Sequence, residues 1–185
     1  MKTIILLRHG EVDIDNNKRI SAYQFKDWIK LYNNANIKYK IPEKNELKTI
    51  LDKADIILAS KLKRSIQSID LFKKTAYEKN SIFNEAQIPY SAWTTIRLTP
   101  KLWLIIFRVL WFFGYSKNSK SFKETKILAN EATLKLITLM DSNNYIVLVG
   151  HGIMNRLISK VLIKKGWKSR KKSKNENWGF SIFEL

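Results

Sequence analysis

IILLRHGEVD, residues 4–13, is an apolar run that stops abruptly at Arg8, His9 and Gly10. Its apolar residues do not alternate with polar ones, which is how a strand covered on both faces reads. A second run ends in the same way: YIVLVGHGIMN, residues 145–155, closes on His151 and Gly152, and the chain has no third histidine. A third run, DIILA at 55–59, leads into SKLKRSIQS at 60–68, which puts Arg64 on the first turn of a helical pattern. Further strands are expected near Ser81–Asn84 and over Gly179–Leu185. Helices are expected over Ser21–Asn34, Glu43–Lys53, Leu62–Lys79, Ser121–Met140 and Ile153–Lys164, the fourth opened by a Ser121/Glu124 capping box. Strand and helix in turn predict a three-layer α/β sandwich, its mainly parallel central sheet flanked by helices.

In an open parallel sheet, ligands bind beyond the carboxyl ends of the strands. Arg8, His9 and Gly10, Arg64, and His151 and Gly152 all fall at such ends. Each glycine lets the backbone turn sharply beside a ligand, and the helix after Gly152 offers amide donors to an anion. Two imidazoles, planar arginine forks and helix-end amides converging on one crevice describe a phosphate site.

Composition narrows the chemistry. At 185 residues the chain suits one domain, read as spanning 1–185, with an apolar insertion at about 93–115 and a basic loop at about 164–178. The absence of cysteine excludes disulfides and thiolate chemistry, and two histidines do not make a histidine-rich metal site, so neither metal nor other cofactor is expected. A net charge of +18 calls for an anionic partner. Of 34 basic residues only seven are arginine, so the arginines carry more information than the dispersed lysines.

Nothing resembles a signal peptide, and LWLIIFRVLWFFGY at 102–115 would reach only ~21 Å as a helix against a ~30 Å hydrocarbon core, with Arg108 interrupting it. A soluble cytoplasmic protein is the expectation. The segment's apolar surface is wider than a helix lying on a sheet needs. It is expected near the pocket mouth, with Trp103 in an apolar wall that selects a hydrophobic leaving group, or as core, a homodimer face or a peripheral contact with an anionic membrane.

LLRHGE, SKLKRSIQS and VLVGHGIMNRLI resemble, in order and spacing, the signature segments of the histidine phosphatase superfamily, the phosphoglycerate mutase-like proteins. That resemblance implies an α/β sandwich and phosphoryl transfer through a phosphohistidine. His9 would be the nucleophile, Arg8 and Arg64 would hold the phosphate, and His151 would complete the pocket. It further implies a carboxyl proton donor after the central helix, where FNEAQIPYSAW at 83–93 offers Glu85, with Glu11 as its rival. Gly152 stands where the acid phosphatase and phytase branch has Asp. Val12 and Asp15 stand where the family commonly has Thr and Asn, so Asn16 is a candidate to replace the lost amide donor.

The resemblance thus implies a phosphomonoesterase acting on a small phosphorylated substrate. The alternatives are mutase-type phosphoryl transfer, or a non-catalytic basic protein holding nucleic acid or an anionic membrane. Nucleic acid is disfavoured, because Trp167 and Trp178 are the only aromatics in the basic loop and read better as buried anchors.

Overall fold

The computed structural model describes residues 1–40, 45–174 and 176–185. The apolar runs form the centre of a six-stranded sheet ordered β4-β3-β6-β1-β8-β7. In it, β1 (Thr3–Arg8), β3 (Ile56–Ala59), β4 (Glu78–Lys79) and β6 (Tyr145–Gly150) run parallel. β8 (Phe180–Glu184) pairs antiparallel with β1, and β7 (Lys168–Lys171) pairs antiparallel with β8 at the sheet edge.

The lack of alternation in these runs has the expected cause. Ile4, Leu6, Ile146 and Leu148 face one side, under α5 (Phe122–Leu139) and α6 (Gly152–Lys164). Ile5, Leu7, Val147 and Val149 face the other, under α2 (Asn45–Asp52) and α3 (Lys63–Asp70). Because side chains alternate sides along a strand, a run apolar at every position needs a helical layer on both faces. α5 opens at the expected box, with the Glu124 amide donating to Ser121 Oγ (3.2 Å) and the Ser121 amide donating to the Glu124 carboxylate (2.8 Å).

A third cluster lies apart from the sheet. It joins α1 (Ala22–Asn34) to α4 (Pro100–Phe112) through Phe25, Trp28, Trp103 and Phe107, with a two-stranded ribbon of β2 (Ile20–Ser21) and β5 (Arg97–Leu98) beside it. α4 ends in a Schellman motif, the Tyr115 amide donating to the Leu110 carbonyl and the Gly114 amide to that of Trp111, with Gly114 at φ +99°.

Several expectations need correction. The segment near Ser81–Asn84 is a 3₁₀ turn over Ser81–Phe83, not a strand; Asn80 caps it by accepting from the Ile82 amide, and the edge strand is Glu78–Lys79 just before it. The helix expected over Leu62–Lys79 stops at Asp70, and Lys73 adopts a left-handed φ of 55° so that the chain can return to the sheet edge. The helix expected over Glu43–Lys53 is seen from Asn45 to Asp52; Glu43 and Lys44 lie outside the described residues.

The basic loop, of which Asn175 lies outside the described residues, contains an edge strand. Exposed charge along β7 discourages another chain from pairing with it. Trp167 and Trp178 are buried as expected, so this loop presents no aromatic for a nucleic-acid base to stack on. Among the described residues no helix is long and apolar enough to cross a membrane.

Candidate active site

β1 and β6 run side by side with Arg8 opposite Gly150, so the residues that follow each, His9 and His151, emerge together. Their rings lie 5.0 Å apart. His9 is held from all sides: its amide donates to the Gly150 carbonyl, and Asn177 Nδ2 donates to the His9 (3.0 Å) and Gly10 (3.2 Å) carbonyls.

His9 Nδ1 lies 2.7 Å from the Gly10 carbonyl oxygen. A carbonyl only accepts, so Nδ1 carries the proton and Nε2 keeps its lone pair. Nε2 makes no hydrogen bond among the described residues, which is the state a nucleophilic imidazole requires.

Burial, then the neighbouring Arg64 and Arg8, push the His9 pKa well below its ordinary 6.5. Burial, then His9, Arg64 and Arg8, push His151 in the same direction. Both rings are therefore neutral at neutral pH. Unfolded, each takes a proton near 6.5; folded, only at lower pH. Protons thus favour the unfolded chain, so stability is complete above 6.5 and declines as pH falls below it. For the same reason the acid limb of kcat/KM is expected below pH 6.5, and a limb at or above 6.5 would show that the buried ring is not the titrating group.

Arg64 is 3 % exposed. Its Nη1 donates to Asn33 Oδ1 (2.9 Å), its guanidinium lies over the Tyr32 ring (4.9 Å), and its Nε is buried with no partner among the described residues. A buried donor without an acceptor costs about 1–3 kcal/mol, a cost that an anion in the crevice would remove.

Glu85 is fixed by three amides. Oε1 accepts from Ala86 (2.9 Å) and Met154 (3.1 Å), and Oε2 from Ile153 (3.3 Å). The amides at the start of α6, expected to attract an anion, are thus partly taken by this carboxylate.

Arg8, His9, Arg64 and Glu85 line one cleft of about 760 Å³. Arg108 and Lys120 join them, so among the described residues four cations face a single carboxylate there. One wall is apolar, formed by Trp28, Ile29, Tyr32, Ile88, Tyr90 and Leu104. Arg108 is tied to the Ala86 and Gln87 carbonyls and stacks on Trp111.

Some expected residues sit elsewhere. His151 is fully buried beside His9 and does not line the cleft; its Nε2 shares a 2.7 Å hydrogen bond with Ser60 Oγ, and its Nδ1 has no partner among the described residues. Gly10 donates its amide to Ser68 Oγ (2.9 Å), and a side chain there would strike the Trp178 indole, so its amide is already engaged at a closely packed position. Gly152 lines a neighbouring cavity of about 520 Å³ that shares Arg8 with the cleft. Glu11 is exposed and paired with Lys38 at 2.6 Å, outside the cleft. Asn16 is exposed and donates to the Ile14 carbonyl, so it does not replace the lost amide. Trp103 is buried in the α1–α4 cluster, and Leu104 and Arg108 are the α4 residues that reach the cleft.

The sequence assigns no site role to Ser60, Asn33 and Tyr32. Ser60 opens SKLKRSIQS, where its place beside Arg64 was a local signal; Asn33 and Tyr32, on a different helix, had none.

No protein-family model and no curated protein sequence matches the chain. Its structure is similar to mycobacterial glucosyl-3-phosphoglycerate phosphatase (15 % identity over 88 % of this chain and 80 % of that one, TM-score 0.56), which has also been solved with inorganic phosphate and with VO3. It is similar to phosphoserine phosphatase from Entamoeba histolytica, solved with 3-phosphoglyceric acid (16 % identity, 100 % and 91 % of the two chains, TM-score 0.53). It is also similar to an open-reading-frame product of Mycobacterium tuberculosis (18 % identity, 88 % and 79 %, TM-score 0.56). At these identities the likeness is one of fold: the chain has the α/β sandwich of these proteins.

Proposed function

We propose that the chain is a phosphomonoesterase that works through a phosphohistidine on His9. The observation that carries this reading is that His9, with Nε2 unprotonated, and buried Arg64, with Nε partnerless among the described residues, line the same cleft at the strand ends. A nucleophile and an anion-binding donor meet there in one basic cleft.

In this reading Arg8 and Arg64 draw the phosphate oxygens into line. His9 Nε2 attacks phosphorus, the P–N bond forms as the ester P–O bond breaks, and the Glu85 carboxyl gives its proton to the leaving oxygen. Water then attacks the phosphohistidine, Glu85 takes a proton from it, the P–N bond breaks with its electron pair returning to His9 Nε2, and inorganic phosphate leaves. The arginines stabilise the charge of the transferring group, which is most of what phosphoryl transfer asks of a protein. His151, held by Ser60, keeps a second neutral imidazole against His9 rather than a cation.

The test is release of inorganic phosphate from a panel of phosphomonoesters. The apolar wall leads us to expect kcat/KM about tenfold higher for aryl or acyl-chain phosphates than for small sugar phosphates, since one or two methylenes in such a wall are worth about 1–3 kcal/mol. Release from no member of the panel would overturn the reading, and equal rates would remove the wall from it.

Glu85→Gln keeps an acceptor for the α6 amides but no proton to give. It should slow an alkyl phosphate by about 10²- to 10⁴-fold and p-nitrophenyl phosphate, whose leaving group needs no proton, far less. Equal losses on both would remove Glu85 as the acid.

A further inference from the structure

We propose that the outward face of α4 is a docking surface for an anionic lipid bilayer. The surface is separate from the cleft, and the proposal does not depend on the phosphatase reading. α4 is apolar nearly all round, yet only one side of it is covered. Pro100, Trp103, Phe107 and Trp111 point inward. Leu102, Ile105, Val109, Phe112 and Phe113 recur at helical spacing on the opposite side, and each is 45 % exposed or more, Phe113 reaching 86 %. Large apolar side chains gathered on one exposed helix face mark an interaction site rather than ordinary surface.

Charge decides which occupant fits. From Ala86 to Lys123 the chain has no Asp or Glu, and it carries Arg97, Lys101, Arg108, Lys117, Lys120 and Lys123. Lys101, Lys117 and Lys123 are exposed and, among the described residues, pair with no carboxylate. Lys126 lies over the Phe122 ring (4.9 Å), which itself packs edge-on to Phe112 (5.1 Å), so a cation borders the apolar face. A second copy of this chain would bring the same basic, carboxylate-free stretch to the contact. An anionic bilayer supplies both an apolar layer and the countercharge.

Shape agrees with this occupant. Thirteen residues make a helix of about 20 Å, ended by Pro100 and the Gly114 turn, which suits lying in an interface and not crossing it. Arg108, which lines the cleft, is one residue and so about 100° around the helix from Val109. A bilayer seated on α4 would therefore lie beside the cleft.

The test is cosedimentation of the full chain with vesicles of phosphatidylcholine alone and with added phosphatidylglycerol. Binding is expected to the anionic vesicles only and to weaken as salt rises. Ile105→Lys with Phe113→Lys removes apolar area from exposed positions while adding positive charge, so adsorption by charge alone would be kept or strengthened. We expect this double variant to lose at least about tenfold in partitioning while its thermal unfolding is unchanged. Absence of binding to anionic vesicles, binding undiminished in the double variant, or a wild-type dimer that the double variant abolishes would each overturn the proposal.

Discussion

Replacing His9 by alanine is expected to abolish turnover, a fall on the order of a thousandfold or more, while leaving the fold in place. The ring is 2 % exposed, but among the described residues its one side-chain hydrogen bond is to the neighbouring Gly10 carbonyl, and the loop is held independently by Asn177 and by the backbone bond to Gly150. Its loss removes the nucleophile without dismantling the strand end. Labelled substrate quenched during turnover should leave wild type with an acid-labile, alkali-stable adduct, and leave His9→Ala with none. An adduct on Ser60, Ser65 or Glu85 would assign the chemistry elsewhere. The same variant bears on stability. Removing one of two buried neutral imidazoles should flatten the decline of stability below pH 6.5, readable as a smaller difference in melting temperature between neutral and acidic buffer.

Arg64→Lys is the other large effect, about 2 to 3 kcal/mol in kcat/KM, or roughly 30- to 160-fold. Lysine keeps the charge. It cannot hold Asn33 through one nitrogen while offering another to phosphate, and it loses the planar stack on Tyr32. The next-door residue, Lys63, is exposed and, among the described residues, its ammonium donates to the Asn34 carbonyl alone, so Lys63→Ala should behave as wild type and serve as the control. A charge-free replacement separates binding from tuning. Arg64 is the second cause, after burial, that lowers the His9 pKa, so Arg64→Met should move the acid limb to higher pH, whereas Arg64→Lys should leave it in place. Near wild-type kcat/KM for Arg64→Lys would place this residue outside the phosphate site.

The neighbourhood of Glu85 shows a carboxylate doing two jobs at once. It receives the amides of Ile153 and Met154 in the first turn of α6, so it stands where a helix cap would stand, and among the described residues it is the one carboxylate in a cleft of four cations. Any variant there acts on both, which is why the glutamine substitution and the contrast between leaving groups are used together.

Periodicity and local chemistry by themselves predict strands covered on both faces over residues 3–7, 55–59 and 145–149, with Arg8, His9, Arg64 and His151 at their carboxyl ends, and the structure has these strands over 3–8, 56–59 and 145–150. These are properties of neighbours in the chain: an apolar run, a turn that tolerates glycine, a cap such as Ser121 with Glu124. Tertiary structure alone decided which polar groups meet. Ser60 reaches His151 across 91 positions, Arg64 reaches Asn33 across 31, and Glu85 reaches the amides of Ile153 and Met154 across 68 and 69. It also decided which side of α4 is covered, turning Trp103 inward and leaving Leu102 and Phe113 outside, because a helix apolar on all sides carries no internal signal of orientation. A single polar contact between distant segments has no period, and it exists only once the strand ends that carry both partners have been brought together by the burial of the sheet.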